Sequence, residues 1–184
     1  ENSNLVDEIV LPSHKDIQFD FHLFLLDLPY LFRTNLDNIP RTTPYLIVPD
    51  QVNDKWKKKV GVYKKFRIGL NWEGNPDSPV ERFRRISPTD FQPLSAVKQC
   101  AWFGLQKGPN HDKVQDLSGV LDIIDTGRDM LVETAGLIQN LDLIITSDTA
   151  IAHLAGSLNK PVWVLLHHAP DWRWKITGAA SLWY

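Results

Sequence analysis

The sequence is poor in cysteine and has no long apolar run. Cys100 is the single cysteine among 184 residues, so we predict no internal disulfide, a reducing, cytoplasmic compartment and a small buried thiol. The longest apolar candidate, Phe19 to Phe32, contains Asp20 and Pro29, so it is not a membrane-spanning helix. The first residues have neither a basic start nor an apolar signal core. The sequence therefore predicts no membrane span.

The sequence also lacks an excess of either positive or negative charge. Lys and Arg number 20 and Asp and Glu number 22, which gives a formal net charge of -2. We therefore predict no nucleic-acid partner, and a few local cations would have to hold any bound phosphate. The sequence has no G-x-G-x-x-G, G-x-x-x-x-G-K-S/T, H-E-x-x-H or G-x-S-x-G motif. The first two absences argue against a standard NAD site and a P-loop NTPase.

What the sequence does contain is an alternation of strands and helices from Phe66 onward. The predicted strands are Phe66–Trp72, Ala101–Leu105, Val120–Ile124, Leu141–Thr146 and Val162–Leu166. The predicted helices are Asp50–Val60, Ser87 to about Gln99, Asp129–Asn140 and Thr149–Leu158. For residues 17–48 we predict only turns and short pieces of secondary structure, because prolines interrupt this segment. Continuous apolar strands between amphipathic helices are typical of an α/β fold with a Rossmann-like parallel sheet and helices on both faces.

The inward face of each helix follows from its apolar spacing. We expect Trp56 and Val60 to face the core in the first helix. In the helix from Asp129, the inward face comprises Leu131, Thr134, Ala135 and Ile138. In such folds ligands bind beyond the carboxyl ends of the strands, which directs attention to residues 71–75, 106–109, 147–153 and 167–174.

Segment 147–153 has the strongest features of an anion site. Ser147 or Asp148 can cap the following helix, whose free N–H groups and dipole attract anions. Thr149 and His153 are four residues apart and share a helix face, where a diphosphate would meet them. An ordinary capped helix with a surface histidine explains the same spacing, and spacing alone slightly favours it.

The first two strand ends carry further residues suited to phosphate. The predicted donor-binding or phosphate-binding residues here are Asn71, Gly74, Asn75, Arg82, Arg84 and Lys107. Glycine lets the backbone approach a ligand, and arginine offers a fork of donors. A solvated loop with its arginines paired to Asp77 and Glu81 is the alternative, and a plain turn is the alternative for Lys107.

Segment 167–174 combines histidines with tryptophans. Adjacent histidines seldom have the spacing of metal ligands, so we predict no metal site. Trp172 and Trp174 are predicted to wall a sugar or base pocket, with a core or interface position as the alternative.

Six stretches occur in an order known from one family. They are Gly69–Pro76 (GLNWEGNP), Arg82–Arg84 (RFR), Leu105–Gly108 (LQKG), Ser147–Gly156 (SDTAIAHLAG), Lys160–Leu166 (KPVWVLL) and Ala169–Trp174 (APDWRW). Together they resemble the glycosyltransferase domain of bacterial tetratricopeptide-repeat proteins, which is akin to the heptosyltransferase and O-GlcNAc-transferase-like families. Phe19–His22 and Leu36–Pro40 also match, so the resemblance extends from about Phe19 to Tyr184.

The resemblance implies a GT-B fold of two Rossmann-like lobes, with a nucleoside diphosphate sugar held by the C-terminal lobe. It implies no metal and no cofactor besides this substrate, since helix-end N–H groups and basic side chains would take the charge of the departing diphosphate. Residues 61–184 are then expected to be this donor-binding lobe, and residues 1–60 the tail of the N-terminal lobe plus a linker. We interpret the chain as a truncated fragment.

The chain departs from the family in two places. The family usually has a His and an Asn-Asp pair after Pro76, where this chain has Ser78, Val80 and Glu81. The N-terminal lobe normally supplies much of the acceptor site and often the catalytic base. His22 is the one matching candidate from that lobe, and a structural role is the favoured interpretation for it.

The leading hypothesis is inverting, metal-independent sugar transfer by a lobe that alone binds nucleotide and turns over poorly. The alternatives are an epimerase of nucleoside diphosphate sugars on the same architecture, and a non-catalytic, degenerate transferase module. The sugar, the base and the acceptor (protein, glycan or lipid) do not follow from the sequence. The exposed ends favour self-association.

Overall fold

The fold is built on one parallel sheet. A computed structural model of the chain describes residues 6–11, 13, 18–127, 131–175 and 177–183. Within them the strands are β1 Phe66–Asn71, β2 Cys100–Gly104, β3 Ile123–Asp125, β4 Leu143–Ser147 and β5 Val162–Leu165. Their order across the sheet is β3-β2-β1-β4-β5, and every neighbouring pair is parallel. This confirms the predicted α/β class.

Helices connect the strands. The described α-helices are α1 Leu28–Leu31, α2 Asp50–Val60, α3 Glu81–Arg84, α4 Val114–Ser118, α5 Leu131–Gln139 and α6 Ala150–Ser157. Short 3-10 helices occupy Leu25–Asp27, Pro88–Ala96, Gly108–Lys113 and Trp172–Trp174. The bounds of α2 agree with the prediction, and Trp56 and Val60 are buried as expected. The predicted helix start at Asp129 lies outside the described residues.

Three local predictions are corrected by the structure. The helix expected from Ser87 to about Gln99 is a 3-10 helix that ends at Ala96, because Pro93 lacks the N–H that an α-helix requires. Leu131 was expected to face the core but is 62% exposed, since it borders a cavity. Cys100 is half-buried rather than buried, because it begins its strand.

The sheet separates two apolar cores. On one face, Phe103 and Ile144 pack with α2, α5 and α6. On the other face, Leu70 and Ile145 pack with α4 and the 3-10 helix Pro88–Ala96. Successive side chains of a strand point to opposite faces, so a strand covered on both faces must be apolar throughout. The predicted cover of helices on both faces is confirmed.

Residues 18–49 combine positions held against the sheet domain with strongly exposed ones. Tyr45 and Leu46 donate backbone hydrogen bonds to the carbonyl of Ser157, at 3.1 and 3.3 Å. Phe21 and Tyr30 are 93% and 90% exposed. The prediction of turns and short pieces is confirmed for these residues. In the part of the chain that the structure describes, no helix combines the length and apolarity needed to cross a membrane.

Candidate functional site

A cavity of about 920 Å³ opens at the carboxyl end of the sheet. The residues that follow β1, β2 and β4 line it, together with the start of α6 and the loop after β5. Small-molecule sites in proteins typically measure about 300–1,000 Å³. The cavity therefore has the size of a ligand site and lies where parallel α/β sheets bind ligands.

This cavity brings together most of the predicted donor-binding residues. Its lining includes Asn71, Gly74, Asn75, Arg84, Lys107, Asp148, Thr149 and His153. Arg82 does not line it, because the single turn of α3 directs residues two apart to different sides. The guanidinium of Arg82 lies 4.5 Å from the ring centroid of Phe83 and borders a separate cavity of about 510 Å³.

A buried polar network forms the floor of the cavity. Asn71 Oδ1 accepts hydrogen bonds from the hydroxyls of Thr146, at 3.1 Å, and Thr149, at 2.9 Å. Asn71 Nδ2 donates to Gln106 Oε1 at 3.1 Å, and Gln106 Nε2 donates to the carbonyl oxygen of Glu73 at 2.7 Å. Because its members are buried and paired, the network fixes the ends of β1, β2 and β4 relative to one another. Asn71 thus has a clear role in holding the site.

The start of α6 differs from the prediction. Its N-cap is Thr149 rather than Ser147 or Asp148, and within the described chain the Thr149 side chain makes no capping bond. The physical reason is that β4 continues through Ser147 and the Thr149 hydroxyl donates to Asn71. Ala150 and Ile151 line the cavity, so the positive end of the helix dipole faces it. The predicted anion-attracting helix end is thereby formed without a side-chain cap.

Three cationic side chains line the cavity, each held by a protein partner. Arg84 Nε donates to Glu81 at 2.6 Å. Lys107 Nζ donates to the hydroxyl of Thr126 at 3.1 Å and to the carbonyl of Gly127 at 2.5 Å. Arg173 Nε lies 3.2 Å from Asp171 Oδ1. These contacts restrict where each positive charge can be, which suits recognition of an anion of fixed shape.

Arg173 is a site residue that the sequence analysis missed. It belongs to the DWRW stretch, in which the sequence analysis assigned the pocket wall to the two tryptophans. Asp171 caps the 3-10 helix Trp172–Trp174 by accepting from the backbone N–H of Arg173 at 3.0 Å, and the arginine side chain lines the cavity. The position of an arginine between the two tryptophans is the feature of the sequence that could have indicated its role.

His153 lies in the cavity wall beside Trp174. The two rings stack with their centroids 5.3 Å apart and an interplanar angle of 22°. Burial lowers the pKa of His153 below its ordinary 6.5, and Arg173 lowers it further, whereas the charges of Asp148 and Asp171 oppose the shift. The lowered pKa favours the neutral form of the imidazole, and a nearby anion would raise this pKa.

The structure does not bring the predicted pocket-wall tryptophans to the cavity lining. Trp172 is 73% exposed and packs edge-on against Trp183, with 6.0 Å between ring centroids. Trp174 is buried behind His153 and borders a different cavity of about 390 Å³. A 3-10 helix turns its successive side chains apart, and this turn directs the residue between them to the large cavity instead.

His22, the candidate from the N-terminal lobe, does not line the cavity. His22 is exposed between the rings of Phe19 and Phe24, with centroid distances of 5.9 and 5.3 Å. Among the described residues, no three His, Cys, Asp or Glu side chains are grouped as metal ligands.

Residues 124–176 match the family model of Glycosyltransferase family 9 (heptosyltransferase). The matched residues include α5, β4, α6, β5 and the turn that carries Arg173, and so cover a large part of the cavity wall. No curated protein sequence matches the chain.

Two solved structures have a similar fold. The glycosyl transferase family 9 protein from Veillonella parvula DSM 2008 has a TM-score of 0.52 and 15% identity over 67% of this chain and 38% of that chain. The E. coli ADP-heptose lps heptosyltransferase II has a TM-score of 0.54 and 15% identity over 70% of this chain and 41% of that chain. The likeness confirms the predicted fold class. The chain spans about two fifths of the length of these proteins, and its association with tetratricopeptide repeats stays a prediction.

Proposed function

We propose that this chain forms the donor-binding lobe of a glycosyltransferase that uses a nucleoside diphosphate sugar. The observation that carries the proposal is the meeting of Arg84, Lys107 and Arg173 with the start of α6 around one cavity. Arginine forks, an ammonium group and a helix N-terminus are suited to a diphosphate. The match of residues 124–176 to a sugar-transferase family supports the same function.

In the proposed reaction, an acceptor oxygen forms a bond to the anomeric carbon of the donor sugar. The bond from that carbon to the diphosphate oxygen breaks, and the nucleoside diphosphate leaves with the electron pair. Attack from the face opposite the leaving group inverts the anomeric centre. The three cations and the dipole of α6 stabilise the charge that develops on the diphosphate, so no metal is required.

We assign donor binding to residues 61–184, and residues 1–60 to the tail of an acceptor-side lobe plus a linker. The described cavity belongs to the first of these ranges. The base that takes the proton from the acceptor is then expected outside the donor lobe. His22 stays a candidate for the acceptor side.

Calorimetric titration of the chain with UDP, ADP, GDP and CDP, each with and without EDTA, tests the proposal. We expect one of these nucleotides to bind with an affinity that EDTA leaves unchanged. Arg84→Ala and Lys107→Ala should each weaken it about tenfold, because hydrogen bonds to charged groups contribute about 1.5–3 kcal/mol. Arg82→Ala is the matched control and should change the affinity less than about twofold, since its side chain is off the cavity.

The outcomes separate the parts of the proposal. A folded chain that binds none of the nucleotides would contradict the donor lobe and favour a non-catalytic module. Loss of binding in EDTA would contradict metal independence alone. Product analysis of the full-length protein, comparing transfer to an acceptor with epimerisation of the donor sugar, then tests the reaction itself.

A further inference from the structure

Glu81 is a buried carboxylate at the edge of the large cavity. The residue is 3% exposed, and its side chain is absent from the cavity lining. A buried carboxylate is unfavourable unless charged or polar partners compensate for its lost hydration. The partners of Glu81 therefore show what this carboxylate does in the fold.

Both partners of Glu81 line the cavity. Its Oε2 accepts a 2.6 Å hydrogen bond from Arg84 Nε, and its Oε1 accepts a 2.6 Å hydrogen bond from the backbone N–H of Gly74. Glu81 and Arg84 are three residues apart on α3, which puts them on one helix face. A single side chain thus joins Arg84 of α3 to the loop that follows β1.

The three groups fit together closely. A Cβ added at Gly74 would lie 2.8 Å from Arg84 Nη2, 2.9 Å from Glu81 Oε2 and 3.3 Å from Thr149 Cγ2. A side chain at this position would therefore require the ends of the Arg84 and Glu81 side chains to shift. The Nε contact also fixes the plane of the guanidinium, whose two Nη groups carry its other four N–H donors.

We propose that Glu81 is a positioning residue, which holds Arg84 and the Gly74 loop in the arrangement that receives the donor diphosphate. The inference rests on the proposed function. In this role Glu81, which does not line the cavity, acts through the two groups that it holds. An arginine already fixed in its binding arrangement loses less conformational freedom when the anion arrives, and this strengthens binding.

Simple electrostatics makes the opposite prediction. A carboxylate near an anion site repels the anion, so removing its charge should tighten diphosphate binding. The positioning role predicts weaker binding, because the guanidinium and the loop lose their common anchor. The sign of the change in affinity for Glu81→Gln therefore distinguishes the two.

The test is a double-mutant cycle on the affinity for the nucleoside diphosphate that binds the native chain best. Glu81→Gln should weaken binding about tenfold in the native background and less than about twofold in the Arg84→Ala background, as expected for contacting residues. Asp77→Asn is the matched control, since it removes an exposed charge from the same loop and should change the affinity less than about twofold. Urea unfolding of each variant checks that it is folded.

Arg84→Lys provides a second test that leaves Glu81 in place. Lysine keeps the charge but lacks the Nε–H and the planar fork, so the positioning role predicts a loss of about fivefold or more. Unchanged binding by Arg84→Lys, tighter binding by Glu81→Gln, or an equal loss for Glu81→Gln in both backgrounds would each overturn the inference. A native chain that binds no nucleoside diphosphate overturns the proposed function and the inference together. Native binding without the coupling overturns the inference alone.

Discussion

The hydroxyl of Thr149 donates a 2.9 Å hydrogen bond to Oδ1 of Asn71 and so ties the start of α6 to the end of β1. The same Oδ1 atom also accepts from Thr146 on β4. All three residues are buried. The floor of the cavity is therefore part of the folded core, and its polar groups depend on one another for their hydrogen bonds.

Loss of the Asn71 amide should destabilise the fold. We expect Asn71→Ala to lower the free energy of unfolding by about 2–3 kcal/mol, because it removes the hydrogen bonds that Asn71 makes to the buried side chains of Gln106, Thr146 and Thr149. Urea denaturation of the chain measures this. Asn75→Ala is the matched control, since Asn75 is exposed and accepts one local bond from the backbone of Asp77, and should cost less than about 1 kcal/mol. Equal losses for the two variants would contradict the network's role.

The sheet could be predicted from sequence because buried parallel strands must be apolar on both faces. Leu143, Ile144 and Ile145 of β4 are all buried although they alternate between the two faces of the sheet, which is why this part of the strand is continuously apolar. The site could be located for a related reason. The carboxyl ends of parallel strands lie at one edge of the sheet. Polar residues at these ends, such as Asn71 and Gln106, are therefore close together in the fold.

The direction of side chains outside regular elements could not be predicted in the same way. Trp172, Arg173 and Trp174 are consecutive, and the phase of a 3-10 turn determines which of them faces the cavity. Residue types alone favoured the tryptophans. The N-cap of α6 could not be predicted for a similar reason. The Thr149 hydroxyl can bond either the helix end or Asn71, and in the structure it bonds Asn71. Both outcomes depend on contacts between residues far apart in sequence.

Gly136 allows α5 to pack directly on α2. A Cβ at this position would lie 2.6 Å from Val52 Cγ1 and 2.7 Å from Trp56 Cδ1. Alanine is intrinsically better in a helix by about 1 kcal/mol, whereas overpacking a core costs about 1–3 kcal/mol. We therefore expect Gly136→Ala to lower the free energy of unfolding by about 1 kcal/mol, measured by urea denaturation. Gly119→Ala meets no atom within 4 Å and should change it by less than about 0.5 kcal/mol. A stabilised Gly136→Ala variant would contradict the close packing of these helices.

The environment of His153 predicts a dependence of stability on pH. Burial in the folded chain holds its pKa below the ordinary 6.5, so the unfolded chain binds the proton more readily. Its contribution to stability is therefore present above pH 6.5 and is lost as the pH falls through 6.5 towards the lower folded pKa. Among the described residues, Asp148, Asp171 and Arg173 are charged groups that act on its pKa.

The His153→Gln variant isolates this contribution. The free energy of unfolding of the native chain, minus that of the variant, should decrease between about pH 8 and about pH 5, because glutamine does not titrate. Denaturation midpoints at several pH values, for both proteins, measure it. A difference that stays constant over this range would contradict the lowered pKa.

Arg173 and Trp172 offer the sharpest contrast between what the sequence pattern indicated and what the cavity contains. Both belong to one 3-10 helix, yet only Arg173 lines the large cavity, while Trp172 is 73% exposed. If the cavity holds a diphosphate, Arg173→Ala should weaken nucleotide binding about tenfold, since a charged donor is lost and the charge of Asp171 is left unopposed beside the anion. Trp172→Ala should change binding less than about twofold. Calorimetry at one fixed salt concentration compares the two, and a larger loss for Trp172→Ala would instead favour the aromatic pocket wall that the sequence predicted.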